Sequence, residues 1–165
     1  MASELRGVSA GLSRGARWFA STGLIVMTGI IAWQVFARYV LNASPAWGEQ
    51  AALLLMIWYV MLAAAAGVRE QFHIRIAVFV ETLPAGMQRP ALVLAHAVVA
   101  AFGIALVYWG IELTLATWEH VIPTLALPRG VAYLPMPLAG LLIAGFSIEH
   151  MVAVLRNVEV RETWN

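Results

Sequence analysis

RYVLNASPAWGE, residues 38–49, is the stretch that decides the fold. Arg38 closes one charge-free run and Glu49 opens the next, with ten uncharged residues between them. Outward from this turn, Trp18–Ala37 carries no charge and one interior amide, Gln34, and Ala51–Val68 carries no charge at all. Further on, Ala91–Ile111 is charge-free apart from the histidine His96, and Val131–Ile148 is uncharged. Each run holds 18 to 21 residues. A helix crossing the hydrocarbon core of a bilayer needs roughly 20. None of the four shows the polar face of an amphipathic soluble helix. The stretch therefore reads as the tight turn between two membrane-spanning helices.

Composition agrees. Of 165 residues, 62% are hydrophobic and 12% charged, and a soluble domain carries about twice that charge. There is no cysteine, which excludes disulfides and thiolate-held zinc or iron–sulfur clusters. There is no aspartate and no lysine; ten Arg balance nine Glu. That balance lacks the clustered basic face of a nucleic-acid binder. Arg6, Arg14 and Arg17 precede the first run. It is longer than the apolar core of a signal peptide and ends in a poor cleavage context, so it is expected to be retained.

The expected architecture is an all-α integral membrane protein forming a single membrane domain over residues 1–165. Its spans are approximately 17–41, 45–69, 90–112 and 130–155. If the N-terminus is inside, the inner segments hold eight Arg and the outer ones only Arg38 and Arg129. The excess of cations marks the cytoplasmic side, so both termini are expected there. Trp18 lies at an inner edge, and Trp47, Trp109 and Trp118 near the outer one, as interfacial anchors do. Ser44 is expected to cap the second helix and Pro45 to occupy its first position. Asn42-Ala43-Ser44 is formally a glycosylation sequon, but the turn alone explains it.

In the inner connection, Ile76, Phe79, Val80 and Leu83 recur at helical spacing, which predicts a short interfacial helix over about 74–83. Pro84-Ala85-Gly86 is expected to end it, and Pro90 to start the third span. The outer segment Ile122–Gly130 contains Pro123 and Pro128 and cannot be a regular helix. It is expected to pack on protein or lie at the interface. Pro135 and Pro137 should begin or kink the fourth span. Ala63 with Gly67, and Ala97 with Ala101, have the four-residue spacing that lets helices approach closely.

Little in the chain carries chemistry. There is no metalloprotease, nucleotide-loop or nucleophile-elbow motif. No acidic residue lies within any of the four runs, where a pump or autonomous carrier places one. No catalytic residue and no metal ligand set is assigned. Gln34 is expected to make an interhelical hydrogen bond. His96 and His150 reach similar depth on antiparallel helices, and two imidazoles can hold a haem iron. A haem-bearing membrane anchor of an electron-transfer complex is therefore the alternative reading. His73 and His120 sit in connections. Arg38 and Glu49 count to nearly equal depth from the turn. They read as a clasp between the first two helices, or else as a reach to a second protein.

Taken in order, these features resemble the small membrane subunit of tripartite ATP-independent periplasmic (TRAP) transporters, the DctQ type. The resemblance runs from the first helix to the end of the fourth. It rests on Arg38, the short turn and Trp47-Gly48-Glu49. It continues through Trp58, Gly67 and His73-Ile74, then Leu83-Pro84. It ends with Pro123-Thr-Leu125-Ala-Leu-Pro128 and Tyr133 to Pro137, with Pro135 shifted. Gln50 stands where the family often has a second acid. The resemblance implies a non-enzymatic scaffold subunit in the bacterial inner membrane, with no cofactor of its own. A large membrane subunit would carry the sodium and substrate sites of an organic-acid symporter, supplied by a periplasmic binding protein. Candidates for a structural or partner-interface role are Arg38, Trp47, Glu49, Trp58, His73, Pro123, Leu125 and Pro128. Candidates for the binding protein are Glu112, Glu119, His120 and Arg129.

Overall fold

The computed structural model describes residues 2–43, 45–70, 80 and 82–156. They contain four helices long and apolar enough to cross a membrane. Helix α1 is Ala2–Tyr39, α2 is Trp47–Arg69 and α3 is Ala85–Ala116. A hairpin of β1 (Val121–Ile122) and β2 (Leu127–Pro128) follows. The chain then forms a single turn, α4 (Gly130–Tyr133), and α5 (Pro135–Leu155). Apart from that small hairpin, the regular structure of the described residues is all helical.

The helices stand in an open row rather than a closed bundle. α1 packs on α2, α2 on α5, and α5 on α3; no other pair of long helices shares more than a marginal contact. Burial follows position in the row. In their most apolar stretches, 44% of residues are buried in the span containing α5, against 6% in α1. The core lies where α5 is covered from both sides. Ala65, Ala139 and Ile143 form its centre, with Met61 and Val68 of α2 and Val99 and Leu106 of α3 packed around them.

α1 meets α2 along one seam. Between Gly11 and Tyr39, only Ser13, Ala16, Ala20, Gly23, Met27, Ile30, Gln34 and Ala37 are withdrawn from the surface. Their spacing alternates three and four, the 3.5-residue period of a left-handed pair. Small residues at the seam bring the helices close. A Cβ on Gly23 would lie 3.1 Å from that of Tyr59, and one on Gly48 would lie 3.0 Å from Gln34 Oε1. The Gln34 side chain thus lies against α2 at Gly48.

α3 and α5 are closer still. A Cβ on Gly103 would lie 2.7 Å from the Ala144 amide nitrogen, and one on Gly140 would lie 2.7 Å from the Gly103 carbonyl. Backbones this close tolerate no side chain. The small pairs expected from sequence are not the contact, since Ala63 and Ala101 are exposed. Gly103, Gly140 and Ala144 take that role because the row buries those faces.

Several boundaries shift for identifiable reasons. α1 begins at Ala2 rather than near 17. The Arg, Ala and Leu residues there are good helix formers, and Ser13 and Ala16 extend the seam inward. α1 ends at Tyr39, and Asn42 turns the chain with a left-handed φ of 50°, a conformation Asn tolerates. The Ala43 amide then donates to the Ala37 carbonyl at 3.0 Å. Pro45 precedes α2, accepting from the Gly48 amide at 3.2 Å; Ser44 lies outside the described residues.

α3 starts at Ala85, so Pro84-Ala85-Gly86 opens it, and Pro90 falls inside the helix. The Gln88 side-chain amide donates to the Leu83 carbonyl at 3.0 Å and ties this start down. Apart from Val80, Thr82 and Leu83, the expected interfacial helix lies outside the described residues. At the fourth span, the two prolines begin α5 after a break at Leu134.

Candidate functional site

At the outer end, Arg38 and Glu49 are both exposed and make no ion pair with each other. Equal counting from the turn misplaced them. Gln34 lies level with Gly48, so Glu49 faces the turn of α1 below Arg38. At ~1.5 Å per residue the two charges sit about 7 Å apart along the helix axes. Trp47, two residues before Glu49, is also exposed. The clasp expected here is absent, and both charges are presented outward.

The outer hairpin is held by its own backbone. Val121 pairs with Pro128 and Ile122 with Leu127, and the Arg129 amide donates to the His120 carbonyl. Pro128 sits where no strand donor is needed. Ile122 is buried, Leu125 and Pro128 are half-buried, and Pro123 is exposed. Glu119, His120 and Arg129 gather, exposed, at the hairpin base, while exposed Glu112 lies a turn inside the end of α3. His73 lies outside the described residues.

Trp58 is used inside the chain. Its Nε1–H donates to the Val131 carbonyl at 3.0 Å, and its ring lies 6.3 Å from that of Phe19. The reason is local. In a continuous helix the amide of residue 135 would serve the Val131 carbonyl, but Pro135 has none. Trp58 supplies the missing donor from the neighbouring helix. Trp58→Phe should destabilise the chain by about 1 kcal/mol. In the Pro135→Ala background the same change should cost much less, because the new amide can reach Val131. Detergent-titration unfolding of the four variants measures this.

Sequence reasoning missed the ion pair that does join α1 and α2. At the inner end, Arg17 Nη1 lies 2.7 Å from Glu70 Oε1, with side chains 49% and 17% exposed. The fully buried Ser13 hydroxyl donates to the same oxygen at 3.3 Å. The only prior signal was a Glu directly after the last residue of a span, too common to single out.

His96 and His150 do come together, with ring centroids 5.4 Å apart and planes 19° from parallel. Buried His150 also places Nε2 3.0 Å from the Arg69 carbonyl. A carbonyl only accepts, so Nε2 carries the proton and is not available as a metal ligand. Two axial imidazoles point ring nitrogens at one iron from opposite sides. These rings are stacked instead. Nearby, the Arg69 guanidinium lies 6.0 Å from the Phe146 ring centre. Among the described residues, no three His, Cys, Asp or Glu side chains gather to hold a metal ion.

What the arrangement offers is surface: uncharged faces along the row, with charges collected at the ends. The comparisons fit a component of a larger machine. The family model for tripartite ATP-independent periplasmic transporters, DctQ component, matches residues 27–157. The C4-dicarboxylate TRAP transporter small permease protein of Vibrio cholerae serotype O1 is 29% identical over 89 residues. That match covers 51% of this chain and 38% of the relative's length. Because the family match takes in every packed helix from within α1 to the end of α5, the chain belongs to the DctQ component family of the tripartite ATP-independent periplasmic transporters.

Proposed function

We propose that this chain is the small, non-catalytic membrane subunit of a sodium-coupled importer of an organic acid. It sits in the bacterial inner membrane with both termini in the cytoplasm, in keeping with eight Arg on that side against two outside. A large membrane subunit carries the sodium and substrate sites, and a periplasmic binding protein delivers the solute. The chain stabilises and anchors the large subunit. The relative named for C4-dicarboxylates favours a dicarboxylate as the solute.

The observation that carries this reading is the open row. Between Gly11 and Tyr39, α1 uses one seam and leaves the rest of its circumference exposed, including Leu24, Ile25, Ile31 and Phe36. Lipid accepts such faces, and so do the helices of a partner. Arg38 and Glu49, exposed and unpaired with each other, offer the partner charges at the rim. Glu112, Glu119, His120 and Arg129 are offered to the binding protein.

Co-purification with the large subunit of the same transporter tests this. The wild-type chain should carry the large subunit through two affinity steps, and Arg38→Ala and Glu49→Ala should each reduce recovery severalfold. In the isolated chain the two substitutions should show no coupling in unfolding, since their side chains do not meet. Failure to co-purify, or a Soret band abolished by His96→Ala, would overturn the reading in favour of a haem-bearing anchor.

A further inference from the structure

The packing contacts fix the relative heights of the four helices, and the charges that bound each apolar run can be placed on that scale. Gly23 meets Tyr59 and Gly48 meets Gln34, so α1 and α2 residues lie level when their numbers sum to about 82. Gly103 meets Gly140 and Ala144, Gly110 meets Pro137, and His96 stacks on His150; for α3 and α5 the sum is about 246. α2 and α5 run parallel. Arg69 meets Phe146 and His150, and Trp58 meets Val131, an offset of about 77.

On this common scale the outer boundary is not level. Arg38 of α1 stands just outside Pro45, and Glu49 of α2 is a little more than a turn lower. Arg129, entering the α5 span, is level with Ala52, and Glu112 of α3 with Ile57. The inner boundary steps the same way. Arg17 of α1 is level with Ala65, and Arg69 of α2 is a turn beyond. Glu149 of α5 lies about three residues further, and Arg89 of α3 about eleven. Two independent sets of charges thus descend in the order α1, α2, α5, α3, which is the order of the row.

We infer that the row meets the lipid bilayer obliquely, with its helices inclined in the plane of the row toward a belt bounded by these charges. A total step of about 20 Å, at ~1.5 Å per residue, accrues over three interhelical spacings of about 8–10 Å. The inclination is therefore roughly 35–40°, at the upper end of the range for spanning helices. It places Arg38 and Glu49 at one depth in the membrane while leaving them a turn apart along the helices. An upright row would instead put Arg17 and Glu112 within the hydrocarbon or lift apolar α3 residues into water, both costly.

The chain contains no cysteine, so single spin labels can be introduced directly. Exposed Phe19 and Ile104 are level along the helices, and so are exposed Ile25 and Leu113. Labels at Phe19→Cys, Ile104→Cys, Ile25→Cys and Leu113→Cys are read by oxygen and nickel-chelate power saturation. The full chain is held in phosphatidylethanolamine–phosphatidylglycerol vesicles. The oblique row predicts a crossed order. Ile104 should be deeper than Phe19, and Ile25 deeper than Leu113, each by about 10 Å. Equal depth in either pair overturns the inference. Polarised infrared dichroism of the unmodified chain in oriented bilayers gives a check free of variants. A mean helix tilt near 35° or more supports the oblique row, and one below 20° overturns it.

Discussion

Gly103→Leu is expected to part α3 from α5 and leave little folded chain. Even a Cβ at this position would stand 2.7 Å from the Ala144 amide nitrogen and 2.8 Å from the Gly140 carbonyl. Neither is the end of a flexible side chain, so the helices themselves must separate. Overpacking a tight core costs about 1–3 kcal/mol and occasionally more. Here the shift also opens the only substantial contact α3 makes with the long helices, so the upper end or beyond is expected. Gly140→Leu should behave alike, because its Cβ would meet the Gly103 carbonyl at 2.7 Å. Gly29→Leu and Gly145→Leu are the matched controls, since nothing lies within 4 Å of a Cβ at either. Monodisperse yield and the detergent-unfolding midpoint report the effect. Normal behaviour of Gly103→Leu would show that the two helices do not approach as described.

The second large effect is expected at Glu70. Glu70→Ala removes the partner of Arg17 and the acceptor of a fully buried Ser13 hydroxyl. Fully buried pairs lose about 3–5 kcal/mol when one partner is removed, and exposed pairs about 1 or less. With Arg17 half exposed, about 2 kcal/mol is expected. The loss falls on α1, which among the described residues has no substantial contact besides α2. Limited proteolysis should therefore cut α1 free of an otherwise intact row. Arg38→Ala in the isolated chain should cost under about 0.5 kcal/mol, as exposed changes do. The ranking of these two variants separates the clasp that exists from the one that counting across the turn suggested.

The four spans were legible because hydrocarbon imposes a simple demand: about twenty residues without charge. The order of the row was not legible. In α1 the residues that touch α2 and those that do not are equally apolar, so no polar face marks the seam. Only its small members, Ser13, Ala16, Ala20, Gly23 and Ala37, hint at it. The Arg38–Glu49 clasp failed because α1 is closed by left-handed Asn42 and α2 begins only at Trp47, which sets the two charges out of step. Arg17 was noted only as a cation before the first span and Glu70 was not singled out; their meeting depends on the register of that same hairpin. Trp58 and Pro135 were each noticed. Their relation needed α2 and α5 to be parallel neighbours, which no local pattern announces. His96 and His150 do lie at one depth, because each was counted from the inner end of its own helix rather than across a turn of unknown shape.

In the proposed role this chain holds no transport site and serves as the surface on which one is assembled. The direct measurement is uptake of radiolabelled C4-dicarboxylate into vesicles under an inward sodium gradient. The vesicles contain the large membrane subunit with the binding protein present, and this chain is either included or omitted. Uptake should require both membrane subunits, fall to background when this chain is omitted, and be absent from vesicles containing this chain alone. Uptake by this chain alone, or undiminished uptake without it, would contradict the account.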